Sequence, residues 1–249
     1  CRSGAAVRTL TISDPGFVHG RTLSSVILGD NPLGFWTFSE TSGTTAQDST
    51  ANNLNLTHMG SPTLGVSGPK AMSAVTVNGS SQRSVMSSAS PVLAKSAAQS
   101  WSMEIWLRYT STSFATALIW RERTDHPEGE VGGICVNNGV TGTIEANLAT
   151  PSYTRLNVRS PTTGWNDNQW HHVVVTAVSA GAVTLYLDGV AVATSSATRM
   201  NANASNSKVV CVGSNAGASF AQHFAGSFAA AAVYGAALSA GQVLARYQA

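Results

Sequence analysis

The residues best suited to chemistry in this 249-residue chain lie in the segment Thr162–Asn168, TTGWNDN. Trp165 stands beside Asn166, Asp167 and Asn168. An exposed indole stacks on the apolar face of a sugar ring, while neighbouring amides and carboxylates hold hydroxyls. The alternative is an indole folded back as a lid on apolar side chains. Trp106 is the second binding candidate, on the polar side of an alternating segment beside Glu104 and Arg108. The alternative is that this face is covered by a loop or the N-terminal arm. Asp48 opens an Asn-rich stretch and either contributes to a calcium site or caps the turn.

Catalytic groupings are incomplete. Glycoside hydrolysis needs two carboxyl groups about 5 to 9.5 Å apart. Glu104 stands alone, and Glu128 and Glu130 fall in a Pro/Gly stretch where position is poorly controlled. Asp125, His126, Glu128 and Glu130 form an acid and histidine cluster that reads as a charged loop tip. His171 and His172 are adjacent on a strand, so they point to opposite faces and cannot share a metal. No G-x-S-x-G elbow is present, and no glycine-rich phosphate loop leads into a helix. Cys1, Cys135 and Cys211 show no C-x-x-C spacing. Cys135 and Cys211 lie in apolar runs and read as buried free thiols, with pairing the alternative. Cys1 reads as the start of a trimmed or processed chain, with a lipidated first residue as the alternative.

Composition narrows the partners. Net charge is +2 and charged residues make up 10% of the chain, against about 25% in ordinary domains. No run of Lys and Arg marks a nucleic-acid surface. The longest apolar stretch, Phe228–Leu238, is too short to span about 30 Å of hydrocarbon. An uncharged exterior of Ser, Thr, Asn and Ala suits close packing against sugars or neighbouring proteins.

The elements that must position these groups are strands. Asp188-Gly189 supplies the two positive-φ positions of a tight hairpin turn. The register predicted from it opposes Leu187 to Val190, Leu185 to Val192 and Val183 to Thr194. Trp101, Met103, Ile105 and Leu107 alternate with Ser102, Glu104, Trp106 and Arg108. Turn signals recur about every ten residues, the rhythm of an all-β sandwich or barrel. Only Ser239–Tyr247 carries helical spacing, with Ser239 as N-cap. Residues 1–25 read as an arm or linker, and 26–249 as one domain.

Four segments resemble, in order, the laminin G-like branch of the concanavalin A-like lectin/glucanase fold, as found in bacterial and phage surface proteins. They are DNPLGFWTFSETSGTTAQDSTANNLNLT (Asp30–Thr57), SWSMEIWLR (Ser100–Arg108), QWHHVVVT with VTLYLDG (Gln169–Thr176, Val183–Gly189) and GSFAAAAVYGAALSAGQVLARYQA (Gly226–Ala249). The resemblance implies an all-β, two-sheet antiparallel jelly-roll sandwich with a short C-terminal helix. Glucanases on this fold show an E-x-D-x-x-E strand, which is missing here. Calcium-binding members use acids near the opening loop and in the closing strand. Asp48 matches the first, but Ala229-Ala230 stand at the second, so no cofactor is expected and calcium rests on Asp48 alone.

The expectation is therefore a non-catalytic decoration or adhesion module of a surface assembly, such as a phage capsid, a phage tail or a bacterial surface. Its partners would be neighbouring proteins and glycan, with self-association open, and its location extracellular or on a virion. A soluble carbohydrate-binding module of a secreted protein is the alternative; a glycoside hydrolase ranks behind both.

Overall fold

A computed structural model of the chain describes residues 21–96, 98–121, 130–149, 155–195, 207–215 and 221–249. The expected acid and histidine cluster at 125–130 lies outside these residues except for Glu130, as do Cys1 and the first twenty residues of the arm. The chain opens with helix α1 (Leu23–Gly29), then strands β1 (Gly34–Trp36), β2 (Thr45–Ala46), β3 (Leu56–Met59), β4 (Thr63–Ser67), β5 (Ser73–Asn78) and β6 (Arg83–Met86). The middle holds β7 (Trp101–Arg108), β8 (Ala115–Arg121), β9 (Glu130–Val136), β10 (Ile144–Ala149) and β11 (Arg155–Arg159). The last part adds β12 (His171–Ala177), β13 (Val183–Leu187), β14 (Val190–Ser195), β15 (Val209–Val212), β16 (Ala225–Tyr234) and helix α2 (Ala240–Gln248).

These strands form two eight-stranded sheets. The first runs β14-β13-β12-β7-β16-β5-β4, with β1 also paired to β16; the second runs β11-β10-β9-β8-β15-β6-β3-β2. The pairings between named strands are antiparallel. This is the expected jelly-roll sandwich.

Alternation builds the core. Trp101, Met103, Ile105 and Leu107 of β7 meet Leu118, Trp120, Ile134, Val136 and Ile144 of the opposite sheet. Each buried aliphatic side chain contributes roughly 1.5–3 kcal/mol. The buried indoles keep their polar ends satisfied: Trp36 Nε1 donates to the Leu54 carbonyl and Trp120 Nε1 to that of Leu93.

The first sheet also has a covered outer face. Leu23 and Ile27 of α1 and Val243 of α2 pack on Trp106, Val174, Ala229, Ala230 and Ala232. The alanines of β16 let the helices come close, and a bulge between Ala229 and Ala232 puts Ala230 at φ 45°. Helix α2 starts at the predicted cap: Ser239 and Gln242 form a reciprocal capping box. Helix α1 was not foreseen; Leu23, assigned from sequence to the arm, is buried in its first turn. The sequence LSSVILG is short, and tertiary packing supplies the stability that its length cannot.

Two details differ from the predicted register. Asp188 and Gly189 do take positive φ, 50° and 81°, and Leu187 opposes Val190. A bulge at Leu185/Tyr186 then shifts the remaining pairs, so Leu185 faces Ala193 and Val183 faces Ser195. Val190 is 61% exposed because β14 is an edge strand. Glu130, read as part of a loop, is the first residue of β9 and is buried.

Candidate functional site

The outer face of the second sheet has no helix packed on it among the described residues, and it is polar. On β8 and β9, Thr116 opposes Cys135, Ile119 opposes Gly133 and Arg121 opposes Glu130. The next strands continue the same rows. Glu145 lies opposite Cys135 and Arg159, and Asn147 opposite Gly133 and Asn157. Side chains alternate along a strand, and the bulges at Thr116/Leu118 and Trp120/Arg121 reset that alternation so that these residues project together. On this face Phe114, Thr116, Ile119, Glu130, Asn147, Arg155 and neighbours line a trough of about 200 Å³, with Glu145, Arg159 and Gly133 beside it.

Hydrogen bonds pre-set the trough. Asn147 Nδ2 donates to Asn157 Oδ1 at 2.7 Å, and Thr116 Oγ1 to Gln222 Oε1 at 2.7 Å. Arg155 pairs with Glu130, and Arg159 with Glu145 at 3.0 Å. One carboxylate oxygen of Glu130 and the side-chain oxygen of Asn215 have no hydrogen-bond partner. Phe114 is 38% exposed at the rim. The trough therefore offers amides, a hydroxyl, a guanidinium and an aromatic ring, groups that read hydroxyl patterns and a C–H face.

The same geometry argues against bond cleavage here. Among the described residues, the two carboxylates on this face, Glu130 and Glu145, are each already held by an arginine, Arg155 and Arg159, whereas a glycosidase needs one carboxyl free as acid and one as base or nucleophile. Cys135 is no nucleophile: burial is the main cause that pushes its thiol up to about 12. Cys135 and Cys211 are both free and buried.

The residues singled out from the sequence lie elsewhere. Trp165 is half-buried and packs on the core edge, edge-on to His171 at 4.9 Å. Its backbone N–H donates to the Gly142 carbonyl, and its indole nitrogen is buried without a partner. Asn166 is half-buried in the same loop and Asp167 is exposed. Asp167 and Asp188 hold His171 from two sides, at 3.1 and 2.9 Å. Burial alone would lower the His171 pKa, but the two carboxylates outweigh it and raise it.

Trp106 is 3% exposed, covered by helix α2 rather than by the loop or N-terminal arm expected from sequence. It stacks between His172 and Tyr247, at 5.0 and 5.9 Å. Beside it is a charged network that sequence spacing did not suggest. Glu104 receives Arg246 Nε at 3.1 Å and the Tyr234 hydroxyl, and pairs with His172 at 2.9 Å. Arg246 reaches on to Asp30 at 2.7 Å. Asp48 caps its turn: its carboxylate accepts from the backbone N–H groups of Phe35, Thr50 and Leu54 and from the Thr50 hydroxyl. Among the described residues no group of three or more His, Cys, Asp and Glu side chains is placed to hold a metal ion. No described helix is long and apolar enough to cross a membrane.

Comparisons with known proteins agree with this fold. The family described as Concanavalin A-like lectin/glucanases superfamily (Laminin_G_3) matches residues 78–244. No curated protein sequence matches the chain. Among solved structures, domain 4 of the extracellular GH43 arabinanase AbnA from Geobacillus stearothermophilus, in complex with arabinotriose, superposes with a TM-score of 0.62 at 18% identity. That likeness covers 87% of this chain and 98% of that one. The receptor binding domain of the botulinum neurotoxin C/D mosaic serotype gives a TM-score of 0.66 at 13% identity, over 88% of this chain and 51% of that one. The binding domain of Paraclostridial Mosquitocidal Protein 1 gives 0.63 at 14%, over 88% and 52%. This chain thus spans about half the length of the toxin domains, and identities this low establish the fold alone.

Proposed function

Because the chain belongs to the Concanavalin A-like lectin/glucanases superfamily, we propose that it is a non-catalytic recognition module, comprising residues 26–249, whose second sheet binds glycan in the trough over β8–β11. The observation that carries this reading is the preset row Asn147, Thr116, Glu130 and Arg155 beside Phe114. It joins fixed hydrogen-bonding groups to an aromatic rim while keeping the Glu130 carboxylate paired with Arg155. The binding of arabinotriose by a similarly folded domain is in keeping with it.

A glycan array that includes arabino-oligosaccharides tests the proposal. Saturable binding is expected, with Asn147→Ala and Arg155→Ala each weakening it by roughly tenfold, the effect of one lost charge-assisted or amide hydrogen bond. Binding that survives both substitutions in folded protein overturns the trough. Loss on Trp165→Ala alone moves the site to the Thr162–Asn168 loop, with Asn166 and Asp167 as its polar partners.

The composition supports a second reading of the setting. With charged residues at 10%, the exterior suits close docking to neighbouring proteins in an exported surface assembly, a phage capsid, a phage tail or a bacterial surface layer. Recovery of the chain in stoichiometric, repeating copies from such an assembly supports it, and recovery only as a free secreted protein counts against it.

A further inference from the structure

A larger hollow lies at the other end of the second sheet, where the edges of both sheets meet. There β2 and β3 close one sheet and β4 closes the other. The seam between them holds a cavity of about 440 Å³ lined by Thr41–Thr44, His58–Pro62 and Leu64. That volume lies within the ~300–1,000 Å³ of small-molecule sites. It is four strand spacings from β9, or roughly 19 Å.

Its walls are set by backbone. Gly60 has φ 74°, and a Cβ there would sit 2.9 Å from the Ser81 carbonyl oxygen, so only glycine makes this turn without displacement. Gly65 of β4 lies against Thr41, where a Cβ would come within 3.1 Å. The lining divides into two kinds. Met59, Pro62 and Leu64 are apolar, and Met59 is 40% exposed. Thr41, Ser42, Thr44 and Ser61 bring hydroxyls, and no lining residue carries a carboxylate, an ammonium or a guanidinium.

His58 is the chemical centre of this hollow. It is 5% exposed, its Nδ1 pairs with the Ser84 hydroxyl at 2.8 Å, and its Nε2 has no partner. An unpaired buried ring nitrogen costs free energy, which a ligand hydroxyl would recover once a small shift of the lining opens Nε2 to the seam.

We infer that this seam is a separate binding site for a single neutral sugar ring, whose hydroxyls meet the Thr41–Thr44 loop over the buried His58 ring and whose C–H face meets Pro62 and Leu64. A neutral ligand fits because no lining residue carries a charge, while the Glu40 carboxylate that acts on His58 from beside the seam disfavours an anion. The inference rests on the glycan-binding reading but not on the trough.

The test is a ¹H–¹⁵N NMR titration of the full chain, including the histidine ring nitrogens. The probes are the methyl glycosides of glucose, galactose, mannose, N-acetylglucosamine and arabinose. At least one should shift His58 Nε2 and the amides of Gly43, Thr44 and Gly60. Ser42 is exposed, so Ser42→Trp should plug the mouth without disturbing the core and weaken that response by roughly tenfold or more. Gly133→Leu, in the trough, should leave it intact. If array binding persists but no glycoside moves these signals, or if Gly133→Leu abolishes them and Ser42→Trp does not, the seam site is wrong while the glycan reading stands. If the array is also blank, both fall.

Discussion

On the outer face of the first sheet, Glu104 and His172 lie fully buried under α2, tied to Arg246, Tyr234 and Asp30. On the outer face of the second, Glu130 and Glu145 are held by Arg155 and Arg159, whose side chains are 41% and 32% exposed. Strand alternation, reset by a bulge beside Glu130, put acids outward on both sheets, and the helical layer separates their fates. Where helices cover the face, charge becomes a latch that fixes helix to sheet. Where no described helix covers it, the same chemistry is left facing a trough. A buried network adds little net stability over apolar packing, but removing one member strands the others.

Breaking the latch gives the largest expected effect. Glu104→Ala leaves the Arg246 guanidinium and His172 buried without their carboxylate and should destabilise the fold by about 3–5 kcal/mol. Urea denaturation measures it. A loss under about 1 kcal/mol would show that the network is solvated and the comparison misdrawn.

Two consecutive glycines of β9 sharpen the contrast. Gly132 faces inward, and a Cβ there would stand 2.6 Å from Trp101 Cη2. Gly132→Ala should therefore cost roughly 1–3 kcal/mol through overpacking and leave glycan binding unchanged. Gly133 faces the trough, where a Cβ would meet Ile119 and the Leu118 carbonyl at 3.4 Å, an ordinary contact distance. Gly133→Leu should change stability by less than about 1 kcal/mol and abolish binding in the trough. Equal effects on both readouts would show that the strand does not separate its faces as described.

The turn at Asp48 comes next. Asp48→Ala removes the acceptor of four hydrogen bonds and should cost about 1.5–3 kcal/mol, since bonds to a charged group exceed neutral ones. Calcium or a chelator should leave the melting temperature of the unaltered protein in place. A calcium-dependent rise that Asp48→Ala removes would return Asp48 to a metal site.

The smallest effect concerns the two neighbouring histidines. His172 is sealed in the latch, whereas His171 sits at the rim between Asp167 and Asp188. The His171 pKa is raised above 6.5, so its contribution is complete below that value and lost as pH rises through the raised one. Asp167 is lowered from 3.8: burial opposes this, and hydrogen bonds from Gln169 and His171 overcome it. Its contribution is present above 3.8 and lost as pH falls through the lowered value. The Trp165 loop should be held most firmly between these limits. Hydrogen exchange of the Trp165 and Asn168 amides across pH reads this, and a flat profile would remove the clamp.

Much of this architecture was already legible in the residues. Alternation at 101–108 gave the inward Trp101, Met103, Ile105 and Leu107. Asp188-Gly189 gave the hairpin turn, and Ser239 gave the start of α2. Period-two spacing also placed His171 and His172 on opposite sides. These are local consequences of backbone geometry and side-chain type, so a few neighbouring residues suffice to express them. What joins Glu104 to Arg246, 142 residues apart in sequence, or lines up Thr116, Glu130 and Asn147, is strand order and register. No local spacing encodes that. Helix α1 depends on the sheet beneath it, and the burial of Trp106 depends on α2 folding back over it. Local chemistry thus determined the fold class and its turns, while long-range packing decided which polar residues were sealed under helices and which were left on an open face.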